Sequence, residues 1–107
     1  MSQGRKDDSG KPRLDLIPAS WLFGPGMVLG FGATKYSARN WESGIKWGRV
    51  FGALQRHLWA WWRGEKCDKE TGYSHLWHAG CCLMFLIEYE TTKPDFDDRP
   101  AAEKEGN

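Results

Sequence analysis

Residues 49–64 repeat their apolar side chains with the period of an α-helix. Gly64 follows the last of them, and glycine commonly ends a helix because it adopts left-handed backbone angles without strain. The pattern therefore predicts a helix with an apolar face across this stretch. That face contains Phe51, Leu54, Leu58 and Trp62, and an adjoining stripe contains Val50, His57 and Trp61.

Two further stretches predict helices of different character. Residues 18–37 carry apolar residues suited to a buried helix, but the Gly-Pro-Gly run at 24–26 predicts a kink or a break within it. Residues 74–90 are apolar around much of their circumference, so we expect a central helix or one that is covered by dimerisation. Ser74 is the predicted N-cap of this last helix.

The predicted fold class is all-α, because almost no stretch alternates apolar and polar residues as a half-buried strand does. A chain of 107 residues fits one small helical bundle, which we expect homo-oligomerisation to complete. The predicted organisation is a flexible charged arm at residues 1–13, a helical domain at 14–93, and an acidic flexible tail at 94–107.

Composition argues against several classes of function. The 15 Lys and Arg residues nearly balance 14 Asp and Glu, which leaves no overall field to attract nucleic acid. No stretch approaches the roughly 20 apolar residues of a membrane span, and no signal peptide is visible. The adjacent Cys81 and Cys82 fit buried reduced thiols better than disulfide partners. We therefore expect a cytoplasmic protein that binds neither membranes nor specific nucleic acid.

Carboxylates and histidines are concentrated between the second and third predicted helices. Glu65 and Asp68 stand three residues apart, and such a pair can share a magnesium ion with phosphate oxygens and water. His75 and His78 fall on one side of the third helix, and His57 approaches them if the two helices form an antiparallel hairpin. Three histidines with a carboxylate also suit zinc. The alternative is a solvated turn beside hydrogen-bonded histidines, and spacing alone does not decide.

The connection between the first and second predicted helices is rich in cations and rings. Its Lys and Arg side chains can donate charge-assisted hydrogen bonds to phosphate, and its aromatic rings can stack on a base. The side-chain amide of Asn40 can donate and accept hydrogen bonds at the edge of a base or ribose. In the alternative, the tryptophans pack this connection onto the helices and the cations stay in water. These side chains are Lys35, Tyr36, Arg39, Asn40, Trp41 and Trp47.

The N-terminal arm carries a short basic motif, Gly-Lys-Pro-Arg at residues 10–13. Lys11 and Arg13 suit an arm that closes over an anion. The motif lacks the full phosphate-loop pattern, and no predicted strand precedes it.

Three segments, at residues 6–18, 32–41 and 56–86, together resemble a phage family. They are similar to the small domain of dATP/dGTP diphosphohydrolase-like phage proteins, which stands beside the MazG-like all-α nucleotide pyrophosphohydrolases. The likeness runs from about residue 6 to about residue 90, and its most specific piece is Gly-Glu-x-x-Asp-x-Glu-Thr-Gly-x-x-His-Leu-x-His-Ala at 64–79. The resemblance implies a bacteriophage or prophage origin, and hence an infected bacterial host, a helical homo-oligomer and a purine nucleotide as ligand.

The resemblance also implies residue roles, which make the domain at 14–93 nucleotide-binding. Lys35, Tyr36, Asn40 and Trp41 belong to the nucleotide pocket, and a polar block of carboxylates and histidines faces it. The predicted catalytic residues are Glu65, Asp68, His75 and His78, and the first two are the predicted metal ligands. The predicted ligand-binding residues are Lys11, Arg13, Lys35, Tyr36, Arg39, Asn40, Trp41, Trp47, His57 and Trp61.

One departure from the MazG-like pattern keeps three functions open. MazG-like enzymes carry Glu-x-x-Glu on one helix and Glu-x-x-Asp on another, whereas the first predicted helix here has no carboxylate. The main hypothesis is a purine-nucleotide-binding phage protein, with Mg²⁺-dependent conversion of a (deoxy)nucleoside triphosphate to monophosphate and pyrophosphate as its catalytic form. The alternatives are a non-catalytic anti-defence protein that sequesters a cyclic nucleotide-type immune signal, and a structural helical oligomer.

Overall fold

The computed structural model describes residues 3–100 and contains three α-helices. They are α1 (Ala19–Lys35), α2 (Trp47–Trp62) and α3 (His75–Thr92). Within residues 3–100 there is no strand beyond an isolated bridge between Cys67 and Ser74, so the predicted all-α class is confirmed. Short 3-10 helices lie at Leu14–Leu16, Asn40–Ser43 and Pro94–Phe96.

Helix α3 is the central element, because both α1 and α2 pack against it. This position explains why its sequence is apolar around so much of its circumference. Tyr89, near the C-terminal end of α3, is fully buried, and its hydroxyl donates a hydrogen bond to the backbone carbonyl of Trp41. That bond fastens the α1–α2 connection to α3. The buried core consists of Trp47, Val50, Leu54, Ala79, Cys82 and Tyr89.

Helix α1 runs through Pro25 without interruption, so of the kink or break predicted at residues 24–26, the break is wrong. Two glycines instead let α1 and α3 approach closely. A Cβ on Gly24 would lie 2.5 Å from the Trp77 ring, and one on Gly80 would lie 3.0 Å from Pro25. Cys81 Sγ also donates to the Pro25 carbonyl at 3.1 Å. Gly24 and Pro25 therefore form a packing surface within a continuous helix.

The predicted helix ends are confirmed where the local sequence specified them. Ser74 caps α3, because its Oγ accepts a hydrogen bond from the backbone N–H of Leu76 at 3.1 Å. Helix α2 ends at Trp62, and Gly64 just beyond has a φ of +104°, a conformation that favours glycine. These two ends set the length of the α2–α3 connection, residues 63–74.

Cys81 and Cys82 are free and buried, as predicted, whereas Cys67 is exposed. Burial raises the pKa of Cys81 to about 12 and that of Cys82 to about 11. Among the helices of residues 3–100, none is both long and apolar enough to cross a membrane.

The described part of the predicted tail lies against the start of α2. Asp98 Oδ1 accepts a hydrogen bond from the backbone N–H of Gly48 at 2.8 Å, and the Arg99 guanidinium lies 5.1 Å from the centre of the Trp47 ring. Asp98 thus satisfies one of the N–H groups that a helix N-terminus leaves without an internal partner. The ends of the predicted arm and tail, at residues 1–2 and 101–107, lie outside the described residues.

Candidate functional site

A cleft with a cavity volume of about 260 Å³ opens between the three helices and the two connections that join them. Helix α1 contributes an apolar wall, which includes Val28, Leu29 and Phe31, and α3 contributes Cys82 and Phe85. A mostly apolar cavity with a few polar groups is the usual form of a small-molecule site. The polar lining residues are Lys35, Tyr36, Ser37, Asn40, His57, Glu70, Thr71 and His78.

The structure brings the three histidines together beside this cleft. His57 Nδ1 lies 2.8 Å from His75 Nδ1, and the rings of His57 and His78 stack with centroids 4.5 Å apart. Burial lowers the pKa of His57 to about 4, and the charges of His78 and His75 act in the same direction. Burial also lowers the pKa of His78. The rings of His57 and His78 are therefore neutral at pH 7.

Asp68 organises the α2–α3 connection as a compact turn. Its Oδ2 accepts hydrogen bonds from the backbone N–H groups of Glu70 and Thr71, at 3.1 and 3.0 Å, and from the Thr71 hydroxyl at 3.2 Å. Gly72 closes the turn with a φ of +76°. Burial raises the pKa of Asp68, but the hydrogen bonds from Thr71 and the nearby charges of His78 and His57 outweigh it, and the pKa lies below the usual value.

Thr71 joins this turn to α3, because its Oγ1 lies 2.8 Å from His78 Nε2. His78 Nε2 is also 3.9 Å from Asp68 Oδ2. The turn therefore holds His78 in place on the cleft wall through the hydrogen bonds that link Asp68, Thr71 and His78.

Glu65 lies beside His75, whereas Asp68 and Thr71 lie beside His78. Its Oε1 lies 3.8 Å from His75 Nε2, which is buried and has no hydrogen-bond partner. His75 is only 5% exposed. Within residues 3–100, one group of three side chains has the spacing of metal ligands, namely His57, Asp68 and His75. Glu65, the other predicted metal ligand, is not in that group.

The four residues that the resemblance assigns to a nucleotide pocket all line the cleft. Lys35 Nζ lies 3.1 Å from Glu70 Oε2, and this hydrogen bond raises the pKa of Lys35. Tyr36 is 65% exposed. Trp41 stacks on Phe85 with centroids 4.6 Å apart, so it packs against α3 while it also borders the cavity.

The other predicted ligand-binding residues lie elsewhere, apart from His57. Trp47 is buried in the core, where its Nε1–H donates to the Lys93 carbonyl at 3.1 Å. Trp61 borders a separate groove along α2. Arg39 pairs with Glu42 at 2.7 Å and Arg13 pairs with Asp15 at 2.8 Å, and neither of these cations nor Lys11 lines the cleft.

Three residues at the site were not among the predicted site residues, although two of them, Glu70 and Thr71, belong to the motif at 64–79. Thr71 had a usable signal, because an Asp three residues before a Thr is typical of a turn in which the Asp side chain accepts the following N–H groups. Phe85 follows His78 by seven residues and therefore falls on the same face of α3. The pairing of Glu70 with Lys35 had no local signal, since the two residues lie 35 positions apart.

A family model described as dATP/dGTP diphosphohydrolase, N-terminal, matches residues 1–99. The chain belongs to this dATP/dGTP diphosphohydrolase N-terminal family. The resemblance inferred from the sequence motifs is thereby confirmed. A relative in Salmonella phage PMBT28, named dATP/dGTP diphosphohydrolase, is 36% identical over 96 residues. The alignment covers 90% of this chain but 33% of the relative, so the chain spans about a third of that protein's length.

The relative is a phage protein, which supports the predicted phage origin of this member of the dATP/dGTP diphosphohydrolase N-terminal family. No solved structure matches the chain.

Proposed function

We propose that this domain binds a purine nucleoside phosphate in the cleft between α1, α2 and α3. The proposal rests on the convergence of six side chains around one cavity, namely Lys35, Tyr36, Asn40, Trp41, His57 and His78. The first four residues lie within residues 35–41, whereas the histidines come from α2 and α3, so the fold brings the two groups to one cavity. The purine class is suggested by the names of the family and of the phage relative.

The cleft residues suit the separate parts of a nucleotide. Tyr36 presents an exposed ring on which a base can stack, whereas one face of Trp41 is already covered by Phe85. Asn40 offers both a donor and an acceptor to a base or ribose edge. Lys35 supplies a positive charge for phosphate.

The size of the cavity limits how much of a nucleotide it encloses. About 260 Å³ is slightly below the range of roughly 300–1,000 Å³ that is usual for small-molecule pockets. We therefore expect the base and part of the sugar to be enclosed, and the phosphates to extend toward solvent near Lys35.

Binding is better supported than hydrolysis. Of the residues that line the cleft, the acidic one is Glu70, and it is paired with Lys35. Helix α1 has no carboxylate, and neither Glu65 nor Asp68 is among the residues that line the cleft. A magnesium pyrophosphohydrolase needs oxygen ligands to hold its cation. Hydrolysis in which Glu65, Asp68, His75 and His78 take part remains the prediction that the relative's name suggests.

Calorimetric titration of the untagged protein with dATP, dGTP and dTTP tests the binding. We expect both purine nucleotides to bind and dTTP to bind at least about tenfold more weakly. Tyr36→Ala and Asn40→Ala are expected to weaken purine binding by about tenfold or more. Trp61→Ala is the matched aromatic control, since Trp61 lies outside the cleft, and its affinity should be unchanged. Equal affinities of all variants, or no purine binding, would contradict the proposal.

The fate of the nucleotide separates the catalytic and non-catalytic forms. Purine nucleotides and cyclic dinucleotides are incubated with the protein, with and without Mg²⁺, and then recovered by heat denaturation and resolved by anion-exchange chromatography. Monophosphate and pyrophosphate that disappear in Asp68→Asn would indicate a hydrolase. Recovery of intact purine nucleotide indicates a binder, and selective retention of a cyclic dinucleotide would favour the sequestering alternative instead.

A further inference from the structure

Two histidine nitrogens face one another with a carboxylate beside them, in an arrangement unlike an ordinary helix contact. His57 Nδ1 and His75 Nδ1 lie 2.8 Å apart. One ligand atom from each of His57, Asp68 and His75 falls within 4.8 Å of the others. These three side chains come from α2, the α2–α3 connection and α3, so the packing of the helical hairpin brings them together.

The distances fit a single small cation after a slight adjustment of the rings. Zn²⁺ holds imidazole nitrogens at about 2.0–2.1 Å, so two of them in a tetrahedral site lie about 3.3 Å apart. The two rings need to separate by roughly half an ångström to admit such an ion, which side-chain rotation alone can supply. The hydrogen bonds from Glu70 and Thr71 already hold the Asp68 carboxylate in one orientation, as outer contacts commonly do for metal ligands.

A second and independent observation comes from the far side of the His75 ring. His75 Nε2 is buried without a hydrogen-bond partner, and the nearest carboxylate oxygen, Glu65 Oε1, is 3.8 Å away. If Nδ1 of His75 donates its lone pair to an ion, the ring proton must be on Nε2, where it faces Glu65. A small movement of the Glu65 carboxylate toward Nε2 then produces the carboxylate–histidine–metal arrangement that orients imidazole ligands. Ion binding would thus give the unpartnered atom its partner.

We infer that His57, Asp68 and His75 form a binding site for a divalent transition-metal ion such as Zn²⁺, with Glu65 as an outer positioning residue. The donor set has two nitrogens and one carboxylate, which suits imidazole-preferring ions and not Mg²⁺, whose ligands are oxygens. His57 also lines the cleft, so a fourth position can remain open on that side, as in zinc sites with three protein ligands. The site does not depend on the proposed nucleotide binding.

The test uses untagged, chelator-treated protein and metal ions alone, without nucleotide. Zn²⁺ is titrated in competition with a chromophoric chelator, and Mg²⁺ is titrated by calorimetry. We expect one Zn²⁺ per chain, bound at least about 100-fold more tightly than Mg²⁺. His57→Ala and Asp68→Asn should each weaken Zn²⁺ binding by more than tenfold, and Glu65→Gln by about tenfold. Circular dichroism checks that each variant keeps its helices.

Two controls keep the result specific to this cluster. Cys67→Ser removes the exposed thiol and should leave the Zn²⁺ affinity unchanged. Long-range ¹H–¹⁵N spectra of the unmodified protein should show that Zn²⁺ shifts Nδ1 of both His57 and His75. Zn²⁺ binding no tighter than that of Mg²⁺, a shift confined to His78, or loss of binding in Cys67→Ser would each overturn the inference.

Discussion

Lys35 at the end of α1 and Glu70 in the α2–α3 connection join their side chains across the cleft, with Nζ and Oε2 3.1 Å apart. Both side chains line the cavity and both are substantially exposed. Exposed ion pairs of this kind contribute little to stability, so this pair can open at little cost. A phosphate that enters the cleft would compete with Glu70 for the Lys35 ammonium.

Glu70→Gln is therefore expected to tighten purine nucleotide binding by severalfold, because it removes a negative charge that competes with phosphate. Lys35→Gln should weaken binding by about tenfold at low salt, and less at high salt where the charges are screened. Calorimetric titration at two salt concentrations measures both effects. Weaker binding in Glu70→Gln would indicate that Glu70 contacts the ligand directly, which contradicts this account.

The three cysteines are expected to differ sharply in reactivity. Burial raises the pKa of Cys81 to about 12 and that of Cys82 to about 11, so neither provides thiolate at pH 8 in the folded protein. A chromogenic disulfide reagent should titrate one thiol per folded chain, at Cys67, and three after denaturation. Cys67→Ser should leave no rapidly reacting thiol. Fast reaction of more than one thiol in the folded protein would show that α3 is not buried as described.

Stability of the metal-free protein is expected to fall as the pH is lowered. Burial lowers the pKa of His57 from 6.5 to about 4, in surroundings that include His75, His78, Asp68 and Arg56. Because the unfolded chain binds more protons than the folded chain between these values, the stabilisation is complete above pH 6.5 and is lost toward pH 4. Urea denaturation midpoints in the presence of a chelator measure the effect.

His57→Gln is the control for this pH dependence. The denaturation midpoint of this variant should decline less between pH 6.5 and 4. Part of the decline should persist, because burial lowers the pKa of His78 as well. A midpoint that stays constant over this range, or an identical decline in the variant, would show that His57 is not held neutral by its surroundings.

Homo-oligomerisation remains a prediction, and α1 offers a surface for it. Leu22 and Phe23 are 66% and 73% exposed, and Trp21 and Met27 are about half exposed. Apolar side chains grouped in this way favour association with another surface. We expect light scattering after size-exclusion chromatography to give a dimer or a larger assembly, and Phe23→Asp to shift it toward monomer. A monomer at high protein concentration would contradict this prediction.

The sequence predicted those features that depend on local pattern. The α2 repeat and the Ser74 cap specified helices and their ends, and the three histidines were placed on helix faces that could meet in a hairpin. Pro25 and its flanking glycines suggested a kink or a break, but α1 continues through them, and the close packing of Gly24 and Pro25 against α3 is a tertiary effect that local pattern does not show. Local pattern could not show which aromatic residues reach the cleft. Trp41 and Trp47 have similar local contexts, yet only Trp41 lines it.

Amide and indole chemical-shift mapping during titration with dGTP tests the central claim most directly. We expect the largest changes at the backbone N–H groups of Tyr36 and Thr71, the side-chain amide of Asn40 and the indole of Trp41, with the Trp61 indole unmoved. Saturation of these signals at one nucleotide per cleft would support the proposed site. No change on addition of dGTP, or changes centred on Trp61 and the far end of α2, would contradict it.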